Sequence, residues 1–231
     1  MIHDCDLCGS ANREPLGLPG GRDIAICQDC GFIYVPERRS MAEVARAWDD
    51  IYGAAYDPSW PGVRARLWYI AEWLDQRFSF HARNVLDIGA GDGFFLQQVS
   101  GRGGWPHAIE SAASNVSKLH SLHGTRLTTT HGWVDADAPK DDRRFHMVMI
   151  LWTLENCADC VQMLRYAANS LAPGGHVVVA TGSRILVPFK KPLSSYLSGI
   201  APPDTHAFRF SRRSLERAMS LAGLVVEAEN D

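Results

Sequence analysis

The sequence predicts an α/β protein in which a doubly wound, mostly parallel sheet follows a small cysteine-rich module. The first observation is the stretch NVLDIGAGDGFFLQQVS at residues 84–100, where an apolar strand, a glycine-rich turn and a helix follow one another. This order builds a nucleotide site at the carboxyl end of a parallel sheet. The second observation is a pair of Cys-x-x-Cys motifs within residues 5–30. A chain of 231 residues has room for one main domain and such an appendage.

The composition is that of an ordinary globular protein, with 46% hydrophobic and 21% charged residues. A net charge of -3 provides no field that would draw the chain to nucleic acid or to an anionic membrane, so neither is an expected partner. No apolar run approaches the ~20 residues of a membrane-spanning helix. The first residues, MIHDCDLCGS, have neither the basic region nor the apolar core of a signal peptide. We therefore expect a cytoplasmic protein.

Four cysteines near the amino end have the spacing of a structural zinc site. The pairs Cys5-x-x-Cys8 and Cys27-x-x-Cys30 are separated by 18 residues, within the roughly 15 to 20 of the four-cysteine zinc pattern. Four thiolates complete a tetrahedron around Zn²⁺ and leave no open position, so the zinc would be structural rather than catalytic. Two unrelated cysteine pairs are the alternative. Strands are expected around the second pair, at residues 22–26 and 31–35.

A helical connector is predicted between this module and the sheet. Ser40 is a good N-cap for a helix over residues 41–48. A second helix is expected over residues 62–77, because its apolar residues recur on one stripe. Arg64 and Arg66 are expected on the solvated face of that helix.

The glycine loop has a physical rationale. Its glycines alternate in a G-x-G-x-G spacing at residues 89–93, and a residue without Cβ accepts positive φ and lets a ligand lie against the backbone. The helix that follows points its free N–H groups at that ligand. Phe94 stands where the dinucleotide fingerprint needs a glycine, so that fingerprint is not met. Glu110 lies 23 residues after Asp87, at the expected end of the next strand, where a carboxylate accepts bonds from ribose hydroxyls.

The remainder alternates strands and helices, as a parallel sheet requires. Strands are expected at residues 126–130, 145–151 and 176–180, with a sixth core strand at 224–226. Helices are expected at residues 113–122, 157–171 and 212–222. Residues 183–209 form a long insert above the carboxyl edge of the sheet, where substrates bind. Cys157 and Cys160 form a further C-x-x-C, interpreted as two half-buried thiols rather than a redox or metal site.

Together, VLDIGAGDG and the acid on the following strand closely resemble motif I and the second-strand acid of class I S-adenosylmethionine-dependent methyltransferases. The resemblance implies a Rossmann-like fold, with the glycine loop against the methionine part of the cofactor and Glu110 on the ribose. An ordinary glycine-rich turn is the alternative. The residues that the resemblance places at the S-adenosylmethionine site are Asp87, Gly89, Ala90, Gly91, Gly93, Phe94, Glu110, Trp133, Val134, Trp152, Tyr52 and Tyr56.

Several of these residues have a second interpretation. Trp133 and Val134 would flank the adenine, although Trp133 serves equally well as a core residue. Tyr52 and Tyr56 would close over the cofactor as a lid, or would simply pack between the cysteine module and the sheet.

The resemblance extends to the segment beside the reactive methyl group. Leu154-Glu155-Asn156 resembles the family's Leu-Glu-His, with Asn156 in place of the histidine. Trp152 and Thr153 are candidates to line the methyl-transfer site. His206 lies in a segment that resembles the one in which the family carries a histidine near substrate. It is the candidate general base, since imidazole titrates near neutrality; a structural or substrate-binding histidine is the alternative.

A zinc ribbon ahead of such a core resembles the zinc-ribbon methyltransferases that include sugar C-methyltransferases. We therefore divide the chain into a zinc ribbon (residues 1–38), a helical connector or lid (39–82) and an S-adenosylmethionine-binding core (83–231). The expected function is in-line methyl transfer to a small molecule, such as a sugar or another natural-product or cell-envelope precursor. The alternatives are a ribosomal RNA methyltransferase with a zinc ribbon and a non-catalytic cofactor-binding module.

Overall fold

The structure is a computed structural model that describes residues 2–16, 24–54, 61–123, 127–135, 143–182 and 206–228. The lid candidate Tyr56, the side chain of Tyr52 and residues 183–205 of the predicted insert lie outside this description. Contacts divide the chain into two compact units. The ribbon unit comprises Met1–Val44, Trp152–Ala168 and Ala180–Asp231, and the sheet unit comprises Ala45–Leu151 and Asn169–Val179.

Strands and helices alternate along most of the described chain. In order, the elements are β1 (Arg13–Leu16), β2 (Ile24–Cys27), β3 (Ile33–Tyr34), α1 (Met41–Ala54), α2 (Pro61–Phe78), β4 (Asn84–Ile88), α3 (Phe94–Gly101), β5 (Trp105–Glu110), α4 (Ala113–His123), β6 (Thr128–His131), β7 (Phe145–Leu151), a 3-10 helix (Leu154–Asn156), α5 (Cys160–Asn169), β8 (Leu171–Ala180), β9 (Phe208–Arg209) and α6 (Arg212–Leu221).

The described sheet unit is built on a five-stranded sheet in the order β6-β5-β4-β7-β8. The pairs β4–β5, β4–β7 and β5–β6 are parallel. The strand order reverses at β4, because the chain continues to β5 on one side and returns to β7 on the other. Ligands of open α/β sheets bind at the carboxyl ends of the strands beside such a point. The predicted Rossmann-like, mostly parallel α/β fold is therefore confirmed.

The apolar runs that predict β4 and β7 are buried as parallel strands require. Val85 and Leu86 of β4 are at most 3% exposed, and Met147 and Val148 of β7 at most 1%. Burial on both faces explains why apolar residues stand side by side in these strands rather than in strict alternation with polar ones.

Strand β8 is longer than predicted, because it begins at Leu171 rather than at residue 176 and includes the Pro-Gly-Gly stretch at residues 173–175. Gly174 has φ 72°, so the chain bends within the strand at a residue that accepts this conformation. A Cβ on Gly175 would lie 2.9 Å from the carbonyl oxygen of Phe145, which leaves space only for glycine. The preceding helix accordingly ends at Asn169 and not at residue 171 as predicted.

The ribbon unit contains an antiparallel sheet in the order β1-β2-β3-β9. The predicted hairpin of β2 and β3 is present, with Ala25 opposite Tyr34. Strand β9 comes from the far end of the chain and places Phe208 opposite Tyr34. No sequence pattern predicts this fourth strand, because its pairing partner lies 174 residues away, as the pair Tyr34 and Phe208 shows.

The predicted sixth core strand at residues 224–226 is wrong. The described residues 224–228 contain no strand, and Val225 is 86% exposed. An apolar β-branched pair favours a strand only where a neighbouring strand supplies hydrogen bonds and packing. Within the described residues, no helix is long and apolar enough to cross a membrane.

Candidate functional site

The glycine loop turns sharply at the carboxyl end of β4. Gly89, Gly91 and Gly93 have φ values of 80°, 57° and 80°, in the left-handed region that residues with a Cβ avoid. The N–H of Gly89 donates to the carbonyl oxygen of Ile109 at 2.7 Å, which holds the loop beside the end of β5. Helix α3 begins at Phe94, directly after the loop. The predicted strand, loop and helix are all present.

Glu110 lies at this loop, at the end of β5. One carboxylate oxygen accepts a hydrogen bond from the N–H of Gly91 at 2.7 Å, and the other accepts one from Ala112 at 2.8 Å. Glu110 is only 5% exposed. Burial raises its pKa, while the N–H groups of Ala112 and Gly91 act in the opposite direction. The structure therefore brings together the loop and the acid that the sequence separates by 19 residues.

Asp87, on β4, is a second buried acid. It is 2% exposed, and among the described residues its Oδ1 atom has no hydrogen-bond partner. Burial, followed by the negative charge of Glu110, raises the pKa of Asp87 to about 8. A buried polar atom without a partner is costly. Asp87 precedes the glycine loop by two residues, and its contact with a cofactor stays a prediction.

Arg64 is a site residue that the sequence analysis missed, and its assignment to a solvated face is wrong. Its guanidinium donates to the Asp92 carboxylate of the glycine loop at 2.9 Å. It also lies 4.2 Å from the centre of the Phe94 ring. The Asp92 carboxylate accepts a further bond from the N–H of Phe94 at 3.2 Å. No local pattern could reveal this contact, because 28 residues separate the two ends of the ion pair.

Helix α1 is tied to the amino end of α4. The carboxylate of Asp49 accepts hydrogen bonds from the backbone N–H and the hydroxyl of Ser114, at 3.0 and 2.7 Å. Burial raises the pKa of Asp49, whereas the hydrogen bonds from Ser114 lower it. The net effect is a pKa below the ordinary value. Asp49 precedes the lid candidate Tyr52 by about one helical turn. The lid role of Tyr52 and Tyr56 stays a prediction.

The segment after β6 also lies at the end of β5. The N–H of Gly132 donates to the carbonyl oxygen of Glu110 at 2.9 Å. Val134 is 2% exposed, and the indole N–H of Trp133 donates to the Asp135 carboxylate at 2.8 Å. The structure thus brings the two predicted adenine neighbours, Trp133 and Val134, to the strand end that carries Glu110. Their contact with adenine stays a prediction.

Trp152, directly after β7, has a strained backbone. Its φ is 53°, a region in which a bulky residue is an outlier. Its N–H donates to the carbonyl oxygen of Ala180 at 2.7 Å, and its own carbonyl oxygen accepts from the side chain of Asn156 at 3.2 Å. Strain of this kind is concentrated at functional sites.

Asn156 stands where the resembled family carries a histidine. Its side-chain amide has a structural partner, because it donates to the carbonyl oxygen of Trp152.

His206 belongs to the ribbon unit and is half-buried. Its carbonyl oxygen accepts a hydrogen bond from the Arg209 guanidinium at 3.1 Å. His206 precedes β9, and the pairing of β9 with β3 fixes the backbone that follows His206. Its role as general base stays a prediction.

The four amino-terminal cysteines converge as predicted. The sulfur atoms of Cys5, Cys8, Cys27 and Cys30 all lie within 4.8 Å of one another. The Cys5–Cys30 and Cys8–Cys27 distances are both 3.5 Å. A tetrahedral zinc with Zn–S bonds of about 2.3 Å requires sulfur atoms about 3.8 Å apart. The cluster therefore has the ligand number and spacing of a closed structural zinc site.

The second C-x-x-C motif has a different character. Cys157 and Cys160 are 2% and 0% exposed. Burial, reinforced by nearby acids, raises the pKa of both thiols well above the ordinary value. The Cys157 thiol donates to the carbonyl oxygen of Leu154 at 3.1 Å. Buried, protonated thiols are poor nucleophiles and poor ligands, and the two cysteines are more buried than predicted.

Comparison with known proteins adds an independent finding. Residues 63–229, more than half of the chain, match the family described as a methyltransferase domain. The ubiquinone biosynthesis O-methyltransferase of Vibrio parahaemolyticus is 27% identical over 175 residues, which cover 74% of this chain and 73% of that protein. The protein of the same description from Stutzerimonas stutzeri is 30% identical over 162 residues, which cover 67% and 70% of the two chains.

Solved structures share the fold. A chain of the complex that contains the Haloferax volcanii Trm112 methyltransferase activator superposes with a TM-score of 0.61 and 21% identity, over 78% of this chain and 77% of that chain. An O-methyltransferase family protein from Burkholderia thailandensis has a TM-score of 0.55 and 19% identity, over 74% and 55% of the two chains. At these identities the likeness concerns the fold alone.

Proposed function

Because the chain belongs to the methyltransferase domain family and is a class I S-adenosylmethionine-dependent methyltransferase, we propose that it methylates a hydroxyl oxygen of a small molecule. The observation that supports the cofactor part of this proposal is the buried acid pair at the glycine loop, with Glu110 bonded to Gly91 at 2.7 Å and Asp87 two residues before the loop. The relatives named as O-methyltransferases of ubiquinone biosynthesis support an oxygen acceptor on a small molecule.

The cofactor site that we propose lies in the sheet unit. Positive φ at Gly89, Gly91 and Gly93 opens the backbone to a ligand. Glu110 would accept bonds from the ribose, and Asp87 would gain the hydrogen-bond partner that its Oδ1 atom lacks among the described residues. Arg64 would hold the loop in shape through its ion pair with Asp92. S-adenosylmethionine supplies an electrophilic methyl group on a positively charged sulfur.

We place the binding site of the methyl acceptor at the segment that follows β7. We assign Trp152 and Thr153 to the lining of the acceptor site, since the strained φ of 53° at Trp152 presents this segment in a fixed, unusual conformation. The acceptor oxygen forms a bond to the methyl carbon as the sulfur–carbon bond breaks, and the hydroxyl proton leaves to a base. His206 is the candidate for that base. Positioning of the acceptor would contribute much of the rate.

RNA is not the favoured acceptor. The net charge is -3, whereas phosphate binding requires a concentration of basic side chains. Several arginines of the described residues are engaged by acids; for example, Arg38 pairs with Asp6, Arg64 with Asp92 and Arg102 with Glu72. A location in the cytoplasm and the domain boundaries at residues 38 and 82 stay predictions.

The proposed function can be tested with catechol and other phenols, simple sugars and ribosomal RNA as acceptors. S-adenosylhomocysteine production, measured by mass spectrometry, should depend on a hydroxylated small molecule, and the product should carry its new methyl group on oxygen. Glu110→Gln should lower the rate at subsaturating cofactor, while Glu216→Gln, an exposed acid of α6, should not. Methylation of carbon, methylation of RNA alone, or cofactor binding without turnover on any acceptor would contradict the proposal.

A further inference from the structure

The sheet of the ribbon unit continues beyond the zinc ribbon. Strand β9 pairs with β3 and places Arg209 opposite Ile33. Next to this pair, the N–H of Val35 donates to the carbonyl oxygen of Ala207 at 2.8 Å. The ring of Phe208 stacks on Phe32 with 5.8 Å between centres, and both side chains are at most 1% exposed. The apolar core of the ribbon therefore includes residues from the far end of the chain.

Strand β9 in turn holds the segment after β7. The N–H of Ala207 donates to the carbonyl oxygen of Glu155 at 2.7 Å. Glu155 is only 5% exposed. Its carboxylate accepts hydrogen bonds from the Thr181 hydroxyl at 3.1 Å and from the Gly182 N–H at 3.3 Å. The strained Trp152 lies three residues before Glu155. A chain of hydrogen bonds thus joins the ribbon to the segment that we assign to the acceptor site.

Arg38 makes a second and more direct connection. Its guanidinium forms a two-pronged ion pair with Asp6, at 2.8 and 2.5 Å, and the two side chains are only 5% and 9% exposed. The same group donates to the carbonyl oxygens of Ala158 at 2.6 Å and Val35 at 3.2 Å. It also lies 4.6 Å from the centre of the Phe208 ring.

The position of Asp6 links the Arg38 ion pair to the predicted zinc site. Asp6 lies between Cys5 and Cys8, inside the first cysteine knuckle, so a zinc ion bound by these cysteines would also fix the position of Asp6. A planar guanidinium presents five donors in a fixed fork, so it can bind a carboxylate with two parallel bonds and still donate to carbonyl oxygens, whereas a lysine has three donors and no such fork. Arg38 therefore connects the first cysteine knuckle, through Asp6, to the backbone of Ala158, which lies in the loop between the 3-10 helix and α5.

We propose that Arg38 is a positioning residue for the methyl acceptor: through Asp6 and Ala158, it makes the order of residues 152–160 depend on the zinc ribbon. The role in acceptor positioning rests on the proposed function, whereas the coupling between the ribbon and this segment does not. Zinc in the ribbon then supports methyl transfer without touching the reactants. Cofactor binding, which we place in the sheet unit, remains independent of Arg38.

The test compares matched variants of the full, zinc-loaded chain. Asp6→Asn and Arg38→Met should keep one zinc per chain and bind S-adenosylhomocysteine within about twofold of the wild type. Amide hydrogen exchange within residues 152–160, followed by mass spectrometry, should become about tenfold faster or more. With catechol as the acceptor, kcat/KM should fall by a similar factor. Asp4→Asn is the control, because it makes the same change on an acid that is 59% exposed and pairs with Arg13 at 3.6 Å.

Removal of zinc completes the test. A chelator should accelerate exchange within residues 152–160 in the wild type and should add less in Arg38→Met, because the connection through Arg38 is already broken there and only the connection through β9 remains to be lost. Unchanged exchange in Asp6→Asn and Arg38→Met, or equal effects of the chelator on wild type and Arg38→Met, would overturn the coupling. If Arg38→Met does not fold, Arg38→Lys and Asp6→Asn are judged by the same criteria. If the wild type binds S-adenosylhomocysteine but methylates no hydroxyl compound, the proposed function fails while the exchange result still decides the coupling.

Discussion

The carboxylate of Glu110 accepts a hydrogen bond from the backbone N–H of Gly91 at 2.7 Å, although β5 and the glycine loop are separate elements. The bond joins an acid at a strand end to the turn that a nucleoside cofactor would approach. It also engages only part of the carboxylate, since each oxygen has further lone pairs. Glu110 can therefore shape the loop and accept bonds from a ribose at the same time.

Glu110→Gln should weaken the binding of S-adenosylhomocysteine by about 1–3 kcal/mol, because charge-assisted bonds from the ribose hydroxyls would be lost. Isothermal titration calorimetry measures this change directly. The exposed-acid variant Glu216→Gln serves as the control. Equal affinity of Glu110→Gln and wild type would rule out the ribose role.

Asp87 should make stability depend on pH in a direction opposite to that of most acids. Its pKa in the folded protein is raised to about 8 from an ordinary value of 3.8. Between these values the folded protein retains a proton that the unfolded chain releases, so the free energy of unfolding falls as the pH rises from about 4 to about 8. Asp87→Asn should remove this slope, because the amide does not ionise.

Thermal unfolding of the cofactor-free protein measures that effect. At about pH 8, Asp87→Asn should raise Tm by about 4 °C, equivalent to 1–2 kcal/mol for a chain of this size, and the gain should shrink toward about pH 5. A gain that does not vary with pH would show that ionisation of Asp87 is not its cause.

Arg64 should affect cofactor binding without contributing to the chemistry. Arg64→Met removes the ion pair with Asp92 and the contact of the guanidinium with the Phe94 ring. The loop would then sample more conformations, and we expect S-adenosylhomocysteine affinity to fall about three- to tenfold, up to 1.4 kcal/mol. Arg66→Met, an exposed position on the same helix, is the matched control. A similar loss in both variants would point to a general effect of charge rather than to the loop.

The zinc site predicts one metal ion per chain, measurable by native mass spectrometry or elemental analysis. Cys27→Ser should lose that zinc and the folding of the ribbon, since a module this small depends on the metal for much of its stability. Cys157→Ala should keep the zinc, because Cys157 lies outside the cluster. A fully folded, metal-free wild-type protein would refute the site.

His206→Asn tests the proposed base. If His206 takes the hydroxyl proton, kcat should fall by about 10²–10⁴. The affinity for S-adenosylhomocysteine should stay within about twofold. His120→Asn, an exposed histidine on α4, is the control. A variant that retains most of its kcat would assign the base to another residue or to water.

Local patterns in the sequence are sufficient to predict the strand, glycine loop and helix of residues 84–100 and the convergence of four cysteines. Both features are encoded by residues close in the chain: apolar runs bury themselves on either face of a sheet, glycine alone accepts the loop conformation, and cysteine pairs have the reach of one metal. The acid at Glu110 is also predictable, because a fixed strand–helix–strand unit brings it to the loop.

Contacts between distant segments depend on which partners the fold makes available. The ion pairs of Arg64 with Asp92 and of Arg38 with Asp6, like the pairing of β9 with β3, join residues whose separation in the chain carries no pattern. A charged side chain has the same local sequence whether it faces water or an acid, and an apolar pair such as Val225-Val226 forms a strand only beside a free edge. Packing of the whole chain decides these pairings. Each pair forms only where the other segments leave apolar surface to be buried and polar groups that still need hydrogen-bond partners.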